Sequence, residues 1–76
     1  MKQLLTYILA NIVEDPDTIS IEEEMNGEEV VLKVSIPEEE RGRVIGKNGT
    51  NIKAIRNIIG IIARRENKKV YIKIID

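Results

Sequence analysis

Two kinds of apolar spacing alternate along this chain, and the points where one gives way to the other limit what it can fold into. Leu4, Leu5, Ile8, Leu9 and Ile12 recur with helical spacing, so residues 2 to 13 are predicted to form an amphipathic helix with one buried stripe. Asp15-Pro16-Asp17 ends it. From about Thr18 to Glu24 the period changes to two: Ile19 and Ile21 alternate with Ser20, Glu22 and Glu24, which places the isoleucines on one face of a strand. Asn26-Gly27 is then read as a hairpin turn, since both residues tolerate positive φ. The next strand carries Val30, Leu32, Val34 and Ile36 inward and Val31, Lys33 and Ser35 outward, until Pro37 stops the ladder.

Pro37 followed by Glu38-Glu39-Glu40 suits the start of a short helix: the proline has no N–H to leave unpaired, and carboxylates oppose the positive end of the helix dipole. The acidic run needs no metal to account for it, because three adjacent acids point in different directions. The short helix breaks at Gly46 to Gly49, and a longer one runs from about Thr50 to Glu66 with Ile52, Ile55, Ile59 and Ile62 as its core stripe. Val70, Ile72 and Ile74 alternate with Tyr71, Lys73 and Ile75 in a last strand. A strand, two helices and a further strand of one sheet make a crossover, which sets the two strands parallel. The expected fold is therefore α+β in the order αββααβ, a three-stranded mixed sheet with all three helices on one face. A chain of 76 residues has room for one modest core, so residues 1–76 are read as a single domain.

Composition narrows the chemistry. With no cysteine and no histidine, the chain lacks thiolate ligands, the commonest zinc ligand and the usual general base at neutral pH. No nucleophile stands beside a base. Neither catalysis nor a cofactor is expected. Charge is near balance overall but divided along the chain: residues 1 to 40 carry two basic side chains against eleven acidic, a balance of −9, and residues 41 to 76 carry ten against two, a balance of +8. A molecule polarised in this way can turn a positive side toward a polyanion. The same charges could also be plain solvated surface. Gln3, Thr6 and Asn11 interrupt the first apolar run and Glu14-Asp15 follow soon after, unlike a secretory signal. No run reaches membrane-spanning length. The chain is read as cytoplasmic, with no membrane partner.

Between the two central helices stands Val44-Ile45-Gly46-Lys47-Asn48-Gly49-Thr50-Asn51-Ile52-Lys53-Ala54-Ile55. Glycine suits such a junction because it takes positive φ and, lacking a Cβ, lets main chain approach a sugar-phosphate backbone closely. Loop amides and the N-terminus of the next helix can then meet phosphates, with Lys47 adding a full charge. A glycine pair between helices can also be a plain αα turn. A nucleotide-binding P-loop fits poorly: three residues rather than four separate Gly42 from Gly46-Lys47, and Asn48 stands where Ser or Thr would hold magnesium.

The longer string V-I-G-x-x-G-x-x-I-x-x-I resembles the signature of the KH family of RNA-binding domains. The element order is similar to the type II KH topology, and the whole chain resembles the small stand-alone bacterial KH proteins of the KhpA family. The resemblance implies that Gly46, Lys47, Asn48 and Gly49 clamp the backbone of single-stranded RNA, about four nucleotides in KH domains. It implies that Ile45 and Ile52 flank the groove in which bases lie, that Val44 and Ile55 belong to the core, and that the turn Asn67-Lys68-Lys69 matches a variable loop, with Lys68 and Lys69 closing the far wall. Asn48 departs from the more basic residues common at its place, which lowers the affinity expected. Lys53 and Arg56, on the polar side of the long helix, are candidate phosphate contacts by geometry and otherwise solvated charges. Tyr7 and Tyr71 are the only aromatic residues, too few for the ring platform of an RRM or OB fold.

Ala54, Ile58, Ile61 and Arg65 form a second stripe on the long helix, apart from the core stripe. Exposed apolar stripes on small domains mark partner surfaces. The expectation is a dimer through this helix, with a copy of the chain or with another RNA-binding protein, and the alternative is that the N-terminal helix covers the stripe. Two functions follow: a non-catalytic RNA chaperone or adaptor gripping RNA through the loop, or a protein-interaction module on the same scaffold with incidental RNA contact.

Overall fold

The computed structural model describes residues 1–75. Its elements are α1 (Lys2–Ala10), β1 (Ser20–Asn26), β2 (Glu29–Ser35), α2 (Glu38–Ile45), α3 (Thr50–Arg65) and β3 (Lys69–Ile75), in the predicted order αββααβ. β2 is the central strand, antiparallel to β1 and parallel to β3. The alternating residues Val30, Leu32, Val34 and Ile36 are all buried, and one core joins them to Leu5 and Leu9 of α1, Val44 of α2, Ile52, Ile55 and Ile59 of α3, and Ile72 of β3. Because those β2 residues share one side of the pleat, all three helices lie on that side.

Several boundaries differ from the sequence reading, each for a local reason. α1 stops at Ala10 rather than residue 13, although Ile12 and Val13 still donate to the Leu9 carbonyl at 3.0 Å. β1 begins at Ser20 rather than Thr18 because Pro16–Thr18 form a 3₁₀ turn, in which Asp15 accepts from the Asp17 amide at 3.2 Å. Asn26 pairs with Glu29, so the hairpin turn is Gly27-Glu28 and only Gly27 takes positive φ, at 64°. Glycine at the first turn position is the type II′ pattern, whereas Asn-Gly as the turn pair would need positive φ twice. On α3, Ala63 occupies the buried place given to Ile62, which is only half-buried. The helix period of 3.6 brings 52, 55, 59 and 63 to one line, and 62 falls to its side.

Glu40 belongs to the triplet read as a dipole-facing run, but its carboxylate is buried and accepts from the amides of Glu14 at 3.2 Å and Asp15 at 2.8 Å. It thereby ties the segment after α1 to α2. Arg43 reinforces the junction, at 3.0 Å from Glu14 and 3.4 Å from Glu40. The two amides, with Arg43 adding to them, hold the Glu40 carboxyl below the ordinary carboxylate range. A carboxyl lowered by folding stabilises fully above its unfolded pKa, and that contribution is lost as pH falls through the folded value. Glu40→Gln is therefore expected to have a lower Tm than the parent at neutral pH and to lose less on acidification below the carboxylate range. Thermal unfolding across an acid pH series measures this; parallel curves for the two proteins would remove Glu40 as the source of the acid sensitivity.

Candidate nucleic-acid interface

The turn between α2 and α3 is built from three successive departures from helical geometry. Gly46 has φ 76° and ψ 172°, Asn48 has φ 57° and ψ 26°, and Gly49 has φ 75° and ψ 16°. The first conformation is open only to glycine, and the second is one asparagine adopts more readily than most residues. Gly46 N donates to the Gly42 carbonyl at 2.9 Å and Gly49 N to the Gly46 carbonyl at 3.1 Å, while the Thr50 hydroxyl donates to the Lys47 carbonyl at 2.7 Å. Asn51 donates from its side-chain amide to the Arg43 carbonyl at 2.7 Å. It lies so close beneath Gly46 that a Cβ there would stand 2.7 Å from its side chain.

These bonds fix the turn and leave its outer surface open. Lys47 and Asn48 are exposed. Their amides open the 3₁₀ turn and so have no acceptor within it, and no other loop hydrogen bond among the described residues engages them. Donors of this kind, beside the N-terminus of a helix of 16 residues, favour an anion.

The remaining candidates are distributed along α3. Lys53 runs over Gly49, its Cε 3.9 Å from where a glycine Cβ would be, so its ammonium accompanies the turn. Arg56 lies one turn further on and donates from Nη2 to the Ile72 carbonyl at 3.2 Å. It is thus pinned to β3 rather than free in solvent. Ile45 keeps an exposed face at 36%, whereas Ile52, read as a groove-flanking residue, is 8% exposed and belongs to the core. Lys68 and Lys69 lie at the far end of α3, about 24 Å from the turn at 1.5 Å per residue. Lys69 N donates to the Glu28 carbonyl at 2.9 Å, so the pair adjoins the acidic β1–β2 hairpin.

A seam between α3 and β3 runs from Arg56 to the Lys68–Lys69 end. One hollow of about 340 Å³ is lined by Arg56, Ile59 and residues 70–73. A second, also about 340 Å³, is lined by Gly60, Ala63, Arg64, Lys68, Lys69, Val70 and Tyr71, and the two share Val70 and Tyr71. Sequence reading did not single out Tyr71, Lys73 or Asn51. The alternation in β3 marks the first two as facing away from the helices, but nothing in the sequence shows that outward residues of this edge strand border the hollows beside α3. Ala54, Ile58, Ile61 and Arg65 lie on another side of α3 and are exposed, Ile58 at 46% and Ile61 at 51%, so α1 does not cover this stripe.

A mixed three-stranded sheet carrying three helices in the order αββααβ, with a glycine-bounded turn between the second and third, defines a type II KH domain. The chain belongs to the KhpA/KhpB KH-domain family, whose model matches residues 2–74. It is 40% identical over 75 residues to the RNA-binding protein KhpA of Clostridium acetobutylicum, covering 99% of this chain and 100% of the relative. Identity to the KhpA of Clostridium perfringens is 37% over the same shares, and to that of Chlamydia pneumoniae 34% over 100% of this chain and 97% of the relative. The comparison with solved structures gave no match. No described helix is long and apolar enough to cross a membrane, and no group of three or more potential metal-ligating side chains occurs among the described residues.

Proposed function

We propose that the protein binds single-stranded RNA without catalysis, holding the backbone at the Gly46–Gly49 turn and laying bases along the α3–β3 seam, as a cytoplasmic RNA chaperone or adaptor. The observation that carries this reading is the exposed turn with two unengaged amides and Lys47 at the head of α3. Its relatives' description as RNA-binding proteins supports it. Lys53 and Arg56 add charge on the same flank, and Lys68 and Lys69 extend it to the far end of the seam. With two to four phosphates neutralised, log K should fall against log salt with a slope of about −0.7 per phosphate. Anisotropy of a labelled oligoribonucleotide measures the slope. Binding that is indifferent to salt, or equally strong for an RNA duplex, would count against a backbone clamp for single strands.

The exposed stripe supports a second component of the reading. Ala54, Ile58, Ile61 and Arg65 form a surface for a homodimer or for a heterodimer with another RNA-binding protein, since two half-exposed isoleucines one turn apart gain from being covered. Ile61→Asp is expected to shift the protein to the monomer position on gel filtration while leaving RNA affinity per chain largely unchanged. An elution volume equal to the parent's would remove the homodimer. Loss of a cellular partner without loss of RNA binding would favour the rival function, a protein-interaction module in which RNA contact is incidental.

A further inference from the structure

We propose that Tyr71 is a second RNA contact, stacking a base where the strand passes out of the α3–β3 seam and over the edge of the sheet. The inference rests on the RNA-binding reading and adds a site on a different element from the clamp. Tyr71 is 46% exposed, so its ring is open to solvent and to a ligand. It lines both hollows of the seam, so any strand running the length of α3 passes it. β3 is an edge strand, and among the described residues no neighbouring strand lies along its outer side.

The charges around the ring point to the same ligand. Lys69 and Lys73 flank Tyr71 at two residues on either side, on the same face of β3. Lys69 is opposite Glu29 in the parallel register, which counters part of its charge. Lys73 is opposite Lys33, and Lys33 is held by Glu24 at 2.7 Å; the bond and charge of that carboxylate raise the Lys33 pKa. Lys73 itself has no carboxylate within ion-pair distance among the described residues. An aromatic face beside an uncompensated ammonium, at the lip of a groove, suits a nucleobase with its phosphate. Stacking is tolerant of sequence because every base has a π face. The site would lengthen the footprint beyond the turn without adding sequence preference.

The chain has no tryptophan, so Tyr7→Phe leaves Tyr71 as the sole strong emitter. Tyr7 is on α1 and 69% exposed, and the change should be neutral to folding. In this background, titration with an oligouridylate of about eight nucleotides is expected to quench tyrosine emission in step with binding. Tyr71→Ala should weaken binding about tenfold and Tyr71→Phe less than about twofold, with the salt slope unchanged because no charge is lost. Tyr71→Thr, which keeps β-branched strand character, should match Tyr71→Ala and guards against a loss caused by a loosened β3. Against an oligomer lacking bases, parent and Tyr71→Ala should bind alike. If the parent binds RNA and needs the turn to do so, but emission is unquenched and Tyr71→Thr binds as the parent does, the stacking site is overturned and the clamp stands. Absence of any binding by the parent overturns both.

Discussion

Replacing Lys47 and Asn48 together by aspartate is expected to lower RNA affinity by about a hundredfold or more, with little change in Tm. Both side chains are exposed and neither makes a hydrogen bond that holds the turn; the bonds that do come from Gly46 and Gly49 amides, Thr50 and Asn51. Aspartate accepts the left-handed conformation of residue 48, and negative charge at the head of α3 favours the helix dipole. The fold should therefore tolerate the change. RNA should not, because the substitution removes one cation and sets two anions against the phosphates at the point where the amides are open. Anisotropy titration beside a thermal melt separates the two effects. A folded double variant with parental affinity would show that the turn is not the clamp.

Gly46→Ala should be the most damaging small substitution in the interface. Its φ of 76° and ψ of 172° fall in a region essentially closed to other residues, at a cost of about 1–3 kcal/mol. A methyl group there would also stand 2.7 Å from the Asn51 side chain and 2.9 Å from its amide nitrogen. Asn51 cannot easily yield, because its side chain is held on the Arg43 carbonyl and its backbone is in α3. Either the turn rearranges or α3 shifts, and RNA binding at the proposed clamp is expected to fail with both. Gly60→Ala is the matched control for stability alone: a methyl group would meet nothing within 4 Å, and alanine inside a helix should add about 0.5–1 kcal/mol. Urea unfolding midpoints should move in opposite directions. A Gly46→Ala protein as stable as the parent would contradict the geometry described for the turn.

The fold was legible in the sequence because period, not propensity, carried it. Val30 to Ile36 could be read only as a half-buried strand, and Ile52, Ile55 and Ile59 only as one side of a helix, so element order and the parallel crossover followed. What escaped were contacts that bridge distant segments. Glu40 sits in an acidic triplet whose members look alike in sequence, and only the arrival of residues 14 and 15 beside it gives it a separate role. Ile62 and Ala63 could not be ranked by hydrophobicity, since the helix phase at the end of α3 buries the smaller residue. The turn itself was visible in its glycines, but its support was not: Asn51 reads as an ordinary polar helix residue until the Arg43 carbonyl is found within its reach. Tyr71 was set aside for want of other rings to join it. Its position beside the hollows of α3, which no local pattern reveals, is the ground for the proposed stacking site.

The wall of the seam opposite α3 is a strand whose partner lies far back in the chain, Lys69 standing beside Glu29 across forty intervening steps. Local helix formation can shape the glycine turn early, but it cannot create the surface along which a polymer would lie. That surface exists only after the slowest kind of contact, a non-local parallel pairing, has closed. Competence to bind should accordingly appear in refolding experiments as a late and concerted event, coincident with recovery of the whole native state and not with the first gain of helix.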